Sequence, residues 1–487
     1  MMRFLRIGAL VASAVVLAGC GAKDESSGAA GAEIVPASVP VFVSIDSDLS
    51  SDQWSQVDEL LEKFPARDQL IDELRSSLKE ESSLDYENDI QPALGDEVDL
   101  VWLDFENDGS NVVAVTQPKD EDAFRKLIEK GNSTGPDQLV CEDSDGWFVC
   151  SDTQAKVDRF QAIPGDDKLA GDEHYKDALA ELPDDSLVHV YVRGQSIVEA
   201  LKDFAVPGSP LPLSADQSPT YLSAALAAEG DGFRLVGTGR AAKAPEGQSE
   251  PFESTLLDVV PDDAVAFLTF KGGDEYERQL QELEKNETYR MGVREFERML
   301  GMRLDSLLGL FENEVGLYIR PGSPIPEFTL LIEAPNEQEV LEKVRTAIRA
   351  LTKTLTAQPC GGPPEAGVQV ECVELEGIHL RSGAFDDKVV VTTGEGAFSK
   401  LRDDGDKLAD DEGFKDAREA AGMPDESVGF MWLDLEDGIP MVLGLANASG
   451  GSIPAEIREN LEPLGSFLAW ADSDGRSGTF TAFLQID

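Results

Sequence analysis

Asp166–Asp177 reads DDKLAGDEHYKD, and Gly405–Asp416 reads GDKLADDEGFKD. Eight of the twelve positions are identical, and Tyr175 pairs with Phe414. Both stretches run on to a Pro-Asp-(Asp/Glu)-Ser turn, Pro183–Ser186 and Pro424–Ser427, and then to an apolar run. Self-similarity of this kind marks an internal duplication. Working outward, the copies open at Val35-Pro36 and Val260-Pro261, ahead of the short apolar strands Val39–Asp46 and Val265–Phe270. Further pairs follow in register. Strand Val98–Phe105 answers Glu312–Ile319, and Asn111–Gln117 answers Phe328–Glu333. A helix starts after a proline in each copy, Asp120–Lys130 and Asn336–Leu351, with Gly131 as a fitting stop for the first.

Within each copy the order is strand, helices, two strands, helix, hairpin, helices, strand, helix, two strands. Short hairpins broken by helices predict an α+β fold. The expectation is two tandem homologous domains, each a mostly antiparallel sheet with helices packed on one face. A chain of 487 residues suits two domains. The boundaries read as a signal peptide at 1–19, a flexible tether at 20–33, repeat 1 at 34–240, a linker at 241–256 and repeat 2 at 257–487. The amphipathic set Trp54, Val57, Leu60, Leu61 and Phe64 reads as the buried stripe of a helix, and Arg67–Glu80 as a second helix. Pro/Ser-rich loops interrupt both copies, at 207–219 and 447–454.

Ninety-four Asp and Glu stand against 41 Lys and Arg, a net charge of −53. Such a surface repels nucleic acid and anionic headgroups, which are read by basic patches. The N-terminus gives an address. Arg3 and Arg6 precede the apolar run Ile7–Leu17, followed by Leu17-Ala18-Gly19-Cys20. That order is a secretory signal, and the run is too short to span a bilayer. The last four residues resemble the lipobox of bacterial lipoproteins. The resemblance implies cleavage before Cys20, a diacylglycerol on its sulfur, and anchoring at the extracytoplasmic face of the cell membrane.

The remaining cysteines form two local pairs, Cys141/Cys150 and Cys360/Cys372. The first is symmetric about Asp145-Gly146, a favoured two-residue hairpin turn. Counting outward makes Cys141/Cys150 a non-hydrogen-bonded pair, whose Cα atoms sit about 4.5 Å apart, within disulfide range. The second pair closes around Glu365-Ala366-Gly367. Both are expected as disulfides, which suits an oxidising compartment.

Several of these residues together resemble a family known as the domain of unknown function number 3352, found in bacterial, notably actinobacterial, envelope proteins. They are the Val-Pro openings at Val35 and Val260, Asp89–Val98 (DIQPALGDEV), the Asp-Glu-x-(Tyr/Phe)-Lys-Asp signature and the Pro-Asp-(Asp/Glu)-Ser turn. Copy two departs from it with Leu308–Phe311 in place of the Pro-x-Leu-Gly element. The resemblance implies fold and address and no catalytic residues.

No stretch carries a catalytic signature. The three histidines are scattered, at His174, His189 and His379. H-E-x-x-H does not occur, and Gly131–Gly135 (GNSTG) matches G-x-S-x-G in form only, at the end of a helix rather than after a strand. Ser76–Lys79 matches S-x-x-K in form but sits on a charged helix without its partner motifs. Asp172-Glu173 and Asp411-Glu412 read as helix caps. The Asp-Ser-Asp-Gly runs at Asp143 and Asp472 read as turns, and Gly394–Gly396 lacks the spacing of a phosphate loop. No cofactor, metal or catalytic residue is expected. The reading is a lipid-anchored, non-enzymatic envelope protein that binds or organises an unknown envelope protein or wall component. The alternatives are a carboxylate-based hydrolase of wall polymers and a carrier of an apolar ligand.

Overall fold

In the computed structural model the described residues are 29–134, 138–163, 167–196, 219–244, 249–272, 287–323, 325–352, 357–361, 364–448 and 450–487. The signal segment, most of the tether including Cys20, the loop 207–218 and the linker core 245–248 lie outside them. The described residues divide into two compact units, one of 29–196, 219–242 and 486–487, the other of 243–485.

The first unit is built on eight antiparallel strands: β1 Val41–Asp46, β2 Gly95–Trp102, β3 Val112–Pro118, β4 Val140–Ser144, β5 Trp147–Ser151, β6 Val188–Arg193, β7 Pro219–Glu229 and β8 Gly232–Ala241. Their pairings give the order β4-β5-β3-β2-β1-β6-β7-β8. Among the described residues the longer helices that join them are α1 Asp52–Leu61, α2 Arg67–Ser82, α3 Glu121–Thr134, α4 Gln154–Gln161 and α5 Glu173–Leu179, with a four-residue helical turn at Glu106–Gly109. Ser51 caps α1 by accepting Trp54 N–H at 3.2 Å, and Trp54, Val57 and Leu60 are its buried stripe. Helix α3 runs through Gly131 to Thr134 rather than stopping at the glycine. The Asn132 amide holds that last turn, donating to Leu139 O at 2.8 Å and accepting Leu139 N–H at 2.7 Å.

The second unit repeats the order. Its strands are β9 Ala266–Lys271, β10 Glu314–Arg320, β11 Glu327–Glu333, β12 Ala357–Pro359, β13 Glu371–Leu375, β14 Ile378–Phe385, β15 Lys388–Thr392, β16 Gly429–Asp434, β17 Leu464–Ser473 and β18 Ser477–Ile486. The pairings run β12-β13-β14-β15-β11-β10-β9-β16-β17, all antiparallel. Thus β9 takes the place of β1, β10 of β2, β11 of β3, β15 of β5, β16 of β6 and β17 of β7. The extra strands β12 and β13 lie beyond β14, where copy two carries additional sequence. The helices are α6 Glu287–Leu300, α7 Glu337–Thr352, α8 Ala397–Arg402, α9 Glu412–Ala421 and α10 Leu435–Ala448, with shorter turns between. Helix and antiparallel sheet together make this an α+β fold.

Alternation along each strand divides the sheet into two faces. On one face lies the main core. In the first unit it gathers Phe42, Val101, Val115, Val149 and Tyr191 beneath Val157 and Phe160 of α4 and Tyr175 and Ala178 of α5. In the second it gathers Phe267, Tyr318, Leu331, Val390, Phe430 and Trp432 beneath Phe398 of α8 and Phe414 of α9. The opposite face is covered at one end by α3, through Phe124 on Phe148, and by α7, through Leu341 and Val344 near Ile332 and Val389.

Candidate functional site

The residues singled out in the sequence take structural roles. Cys141 and Cys150 sit opposite each other on β4 and β5, Cα atoms 4.1 Å apart, with their sulfurs at bonding distance. Asp145 and Gly146 supply the positive φ angles, 56° and 87°, that the tight turn demands. Cys360 and Cys372 also lie at disulfide distance, Cα atoms 5.2 Å apart, and Glu365–Val368 closes the turn between them. Asp172 Oδ1 accepts the N–H groups of His174 and Tyr175 at 2.9 and 3.1 Å, and Asp411 Oδ1 accepts Phe414 N–H at 2.7 Å. Both are helix N-caps. Ser76 and Lys79 are exposed, and Lys79 pairs with Asp85 at 3.0 Å. Among the described residues no three His, Cys, Asp or Glu side chains are grouped so as to hold a metal ion.

What the sequence reading missed lies in the core of the first unit. The register places His189, Ser44 and Asp99 side by side across β6, β1 and β2, on the core face. Glu97, two residues before Asp99, shares that face and accepts Gly31 N–H from the single turn Ala30–Glu33. Ser44 Oγ reaches Glu97 Oε2 at 3.5 Å. Asp99 is 0 % exposed, and neither of its oxygens meets an N–H or O–H donor at hydrogen-bonding geometry. Burial first, then the neighbouring Glu97 carboxyl, push the Asp99 carboxyl well above its ordinary range. Burial raises Glu97 as well. His189 is buried, its Nε2 3.0 Å from Ser223 Oγ, and burial pushes it down to about 4, so it is neutral at physiological pH. The Tyr175 ring packs edge-on to Tyr191 at 5.3 Å and beside His189 at 5.9 Å. A signal for Asp99 was present. Alternation through Glu97, Asp99 and Val101 puts all three on one face, and Val101 is an apolar core position.

The equivalent positions of the second unit carry different chemistry. Register places Gly316 where Asp99 stands, Phe430 at His189 and Trp432 at Tyr191, while the repeated signature places Phe414 at Tyr175. Glu314 keeps the place of Glu97 but is amply supplied with donors. It accepts Thr269 Oγ1 at 2.8 Å, Thr255 N–H at 2.9 Å, Thr255 Oγ1 at 3.1 Å, and the Ser254 hydroxyl.

A second candidate is the sheet face opposite the main core of the second unit. Its residues on β9, β10, β11 and β16 are Ala266, Leu268, Phe270, Val315, Leu317, Ile319, Phe328, Leu330, Ile332, Met431 and Leu433, with no charge among them. Antiparallel sheets commonly turn a polar face to water. Here α7 packs on β14 and β15, and α10 on β16 and β17. On the strands between, Leu268, Leu317 and Phe328 remain 37 %, 39 % and 42 % exposed. A small cleft of about 140 Å³ opens elsewhere in this unit, lined by Leu257, Phe414, Lys415, Arg418 and Asp425 among others. Arg418 is already engaged there, 3.1 Å from Asp425 and facing the Phe414 ring at 5.9 Å.

No curated protein matches the chain. Among solved structures it is similar to TP0453. Crystal form IV is 14 % identical, with 47 % of this chain and 76 % of that one covered at a TM-score of 0.22. Crystal form I is 9 % identical, with 45 % and 82 % covered at a TM-score of 0.23. A likeness at that level bears on neither fold nor function. Residues 4–161, which take in the first copy from its Val-Pro opening through α4, match the family described as protein of unknown function (DUF3352).

Proposed function

We propose that this chain is a lipid-anchored, extracytoplasmic binding protein without catalytic activity, with two copies of one domain held off the membrane by the tether after Cys20. Its partner is an envelope protein that presents an uncharged, apolar surface. The observation that carries this reading is the row Leu268, Leu317 and Phe328, exposed on a sheet face free of charge in a chain of net charge −53. Exposed contiguous apolar surface marks interaction sites. The chain's many acidic groups favour solvation over contact. The hydrolase alternative needs two acids at an open cleft. Glu97 and Asp99, two interacting carboxyls with raised affinity for protons, lie instead on the core face of the first unit, with Asp99 fully buried.

The test is affinity capture from envelope extract with the native lipidated protein as bait, beside Cys20→Ala, Leu268→Glu and Leu317→Glu. Circular dichroism confirms that each variant is folded. The expected result is one protein prey that is lost with both glutamate variants. A co-purifying lipid in place of a protein prey, displaced by the same variants, would overturn the reading in favour of a carrier of an apolar ligand on that face. Prey unaffected by either glutamate would remove the face from consideration.

A further inference from the structure

Glu97 and Asp99 hold the first turn among the described residues. Glu97 accepts Gly31 N–H, and Asp99 lies against the bare Cα of the same glycine. A Cβ on Gly31 would come within 1.7 Å of Asp99 Oδ2. The turn that these acids hold, Ala30–Glu33, is where the tether ends and the first unit begins.

The hydrogen bonding of this pair does not close if both groups are ionised. Asp99 is fully buried and accepts no N–H or O–H donor. The groups in reach of it are the Ser44 hydroxyl and the Glu97 carboxyl. Ser44, Asp46, His189 and Tyr175 face the pair from β1, β6 and α5, and Glu33 of the turn itself points to solvent. His189 is neutral, and no lysine or arginine acts on Asp99. Two anionic carboxylates cannot share such a site, whereas a proton on one makes it a donor to the other. That proton supplies the missing hydrogen bond.

The second copy shows the same device wired without a proton. There Glu314 has hydroxyl and amide donors from Ser254, Thr255 and Thr269. Gly316 replaces Asp99, and Leu256 replaces Gly31. The pair is exchanged in size, because a Cβ on Gly316 would meet Leu256 Cδ1 at 2.8 Å. Copy two therefore fills with hydrocarbon the space that copy one fills with a second carboxyl.

We infer that Glu97 and Asp99 share one proton, and that this acid pair is a latch holding the turn Ala30–Glu33 on the first unit, released as pH rises. Opening the turn exposes both acids to water, where they ionise. Opening is therefore linked to loss of the proton and rises up to tenfold per pH unit.

Two measurements on the full mature chain test this. The first is infrared spectroscopy at pH 8, read for the C=O stretch of a protonated carboxylic acid. The band is expected in the wild type and in Asp46→Asn, and is expected to vanish in Asp99→Asn and Glu97→Gln. Its absence from the wild type, or its survival in both pair variants, overturns the shared proton. The second is cleavage after the exposed Glu33 by a Glu-specific protease, normalised to a free peptide of the same sequence. The normalised rate is expected to climb at least tenfold between pH 6 and pH 9 in the wild type and in Glu314→Gln, and to stay flat in Asp99→Asn. A flat wild-type rate overturns the latch without bearing on the proton, and both measurements read on the wild type even if a variant fails to fold.

Discussion

Asp46 has chemistry that its place at the end of a strand does not suggest. It ends β1, accepts Asp48 N–H at 2.9 Å and the Ser51 hydroxyl at 2.5 Å, and is nonetheless pushed up to about 7, because burial outweighs those bonds. An acid whose affinity for protons rises on folding contributes stability that is fully present below the unfolded value near 4. That contribution is lost as pH rises through 7. Asp46→Asn should flatten the stability profile of the first unit over pH 4 to 7. Above pH 7 it should gain up to about 4 kcal/mol if the new amide keeps both bonds. Denaturant melts at pH 5 and pH 8 check this, and equal slopes in wild type and variant would contradict it. His189 acts in the opposite sense. Its neutral form is the folded one, so its contribution is present above about 6.5 and lost as pH falls toward 4. The sequence places Asp46 at the end of a strand and His189 in the apolar run after the repeated turn, and spacing does not record how much of each carboxyl or ring is taken from water.

At the scale of single elements, the repeated signature is a pair of helix starts. Asp172 and Asp411 cap α5 and α9 in the same way, as their position before each apolar stripe indicates. They differ in two respects, the first being that Asp172 accepts two N–H groups where Asp411 accepts one. Asp172 Oδ2 also holds Arg193 at 3.0 Å, and that carboxylate and guanidinium are largely shielded from solvent. Asp411→Ala should cost about 1 kcal/mol, the value of a cap. Asp172→Ala should cost more, about 2–3 kcal/mol, because it also leaves Arg193 half-buried without its carboxylate. Thermal melts of the two variants check the difference. Equal losses would mean that the ion pair contributes nothing. The caps were legible because the backbone N–H groups they satisfy are their sequence neighbours. The arginine was not, since it arrives from β6, 21 positions further on.

For the whole molecule, each compact unit carries one disulfide, closing short loops of sequence separation 9 and 12. Loops of that size contribute about 2–3 kcal/mol each by constraining the unfolded chain. Replacing Cys141 and Cys150 by serine should lower the unfolding transition of the first unit by that amount. Replacing Cys360 and Cys372 should lower that of the second. Calorimetry of the two double variants distinguishes these outcomes, and a single transition moved equally by both pairs would show that the units unfold as one.

The sequence by itself determined what depends on neighbours along the chain. It settled the α+β class, the repeated order of elements, the helix caps at Asp172 and Asp411, and the hairpin that brings Cys141 to Cys150. Each rests on periodicity or on turn geometry within a dozen residues. Tertiary structure alone decided what lies beside what across the sheet. Asp99 became a proton-sharing acid because β1, β6 and the turn at Gly31 close over it. Gly316 did not, because Leu256 occupies the same space. Leu268, Leu317 and Phe328 became a candidate binding face because α7 and α10 settle on the strands to either side of them. Alternation tells which residues share a face, but only packing determines whether that face is covered, and coverage is what separates core from site.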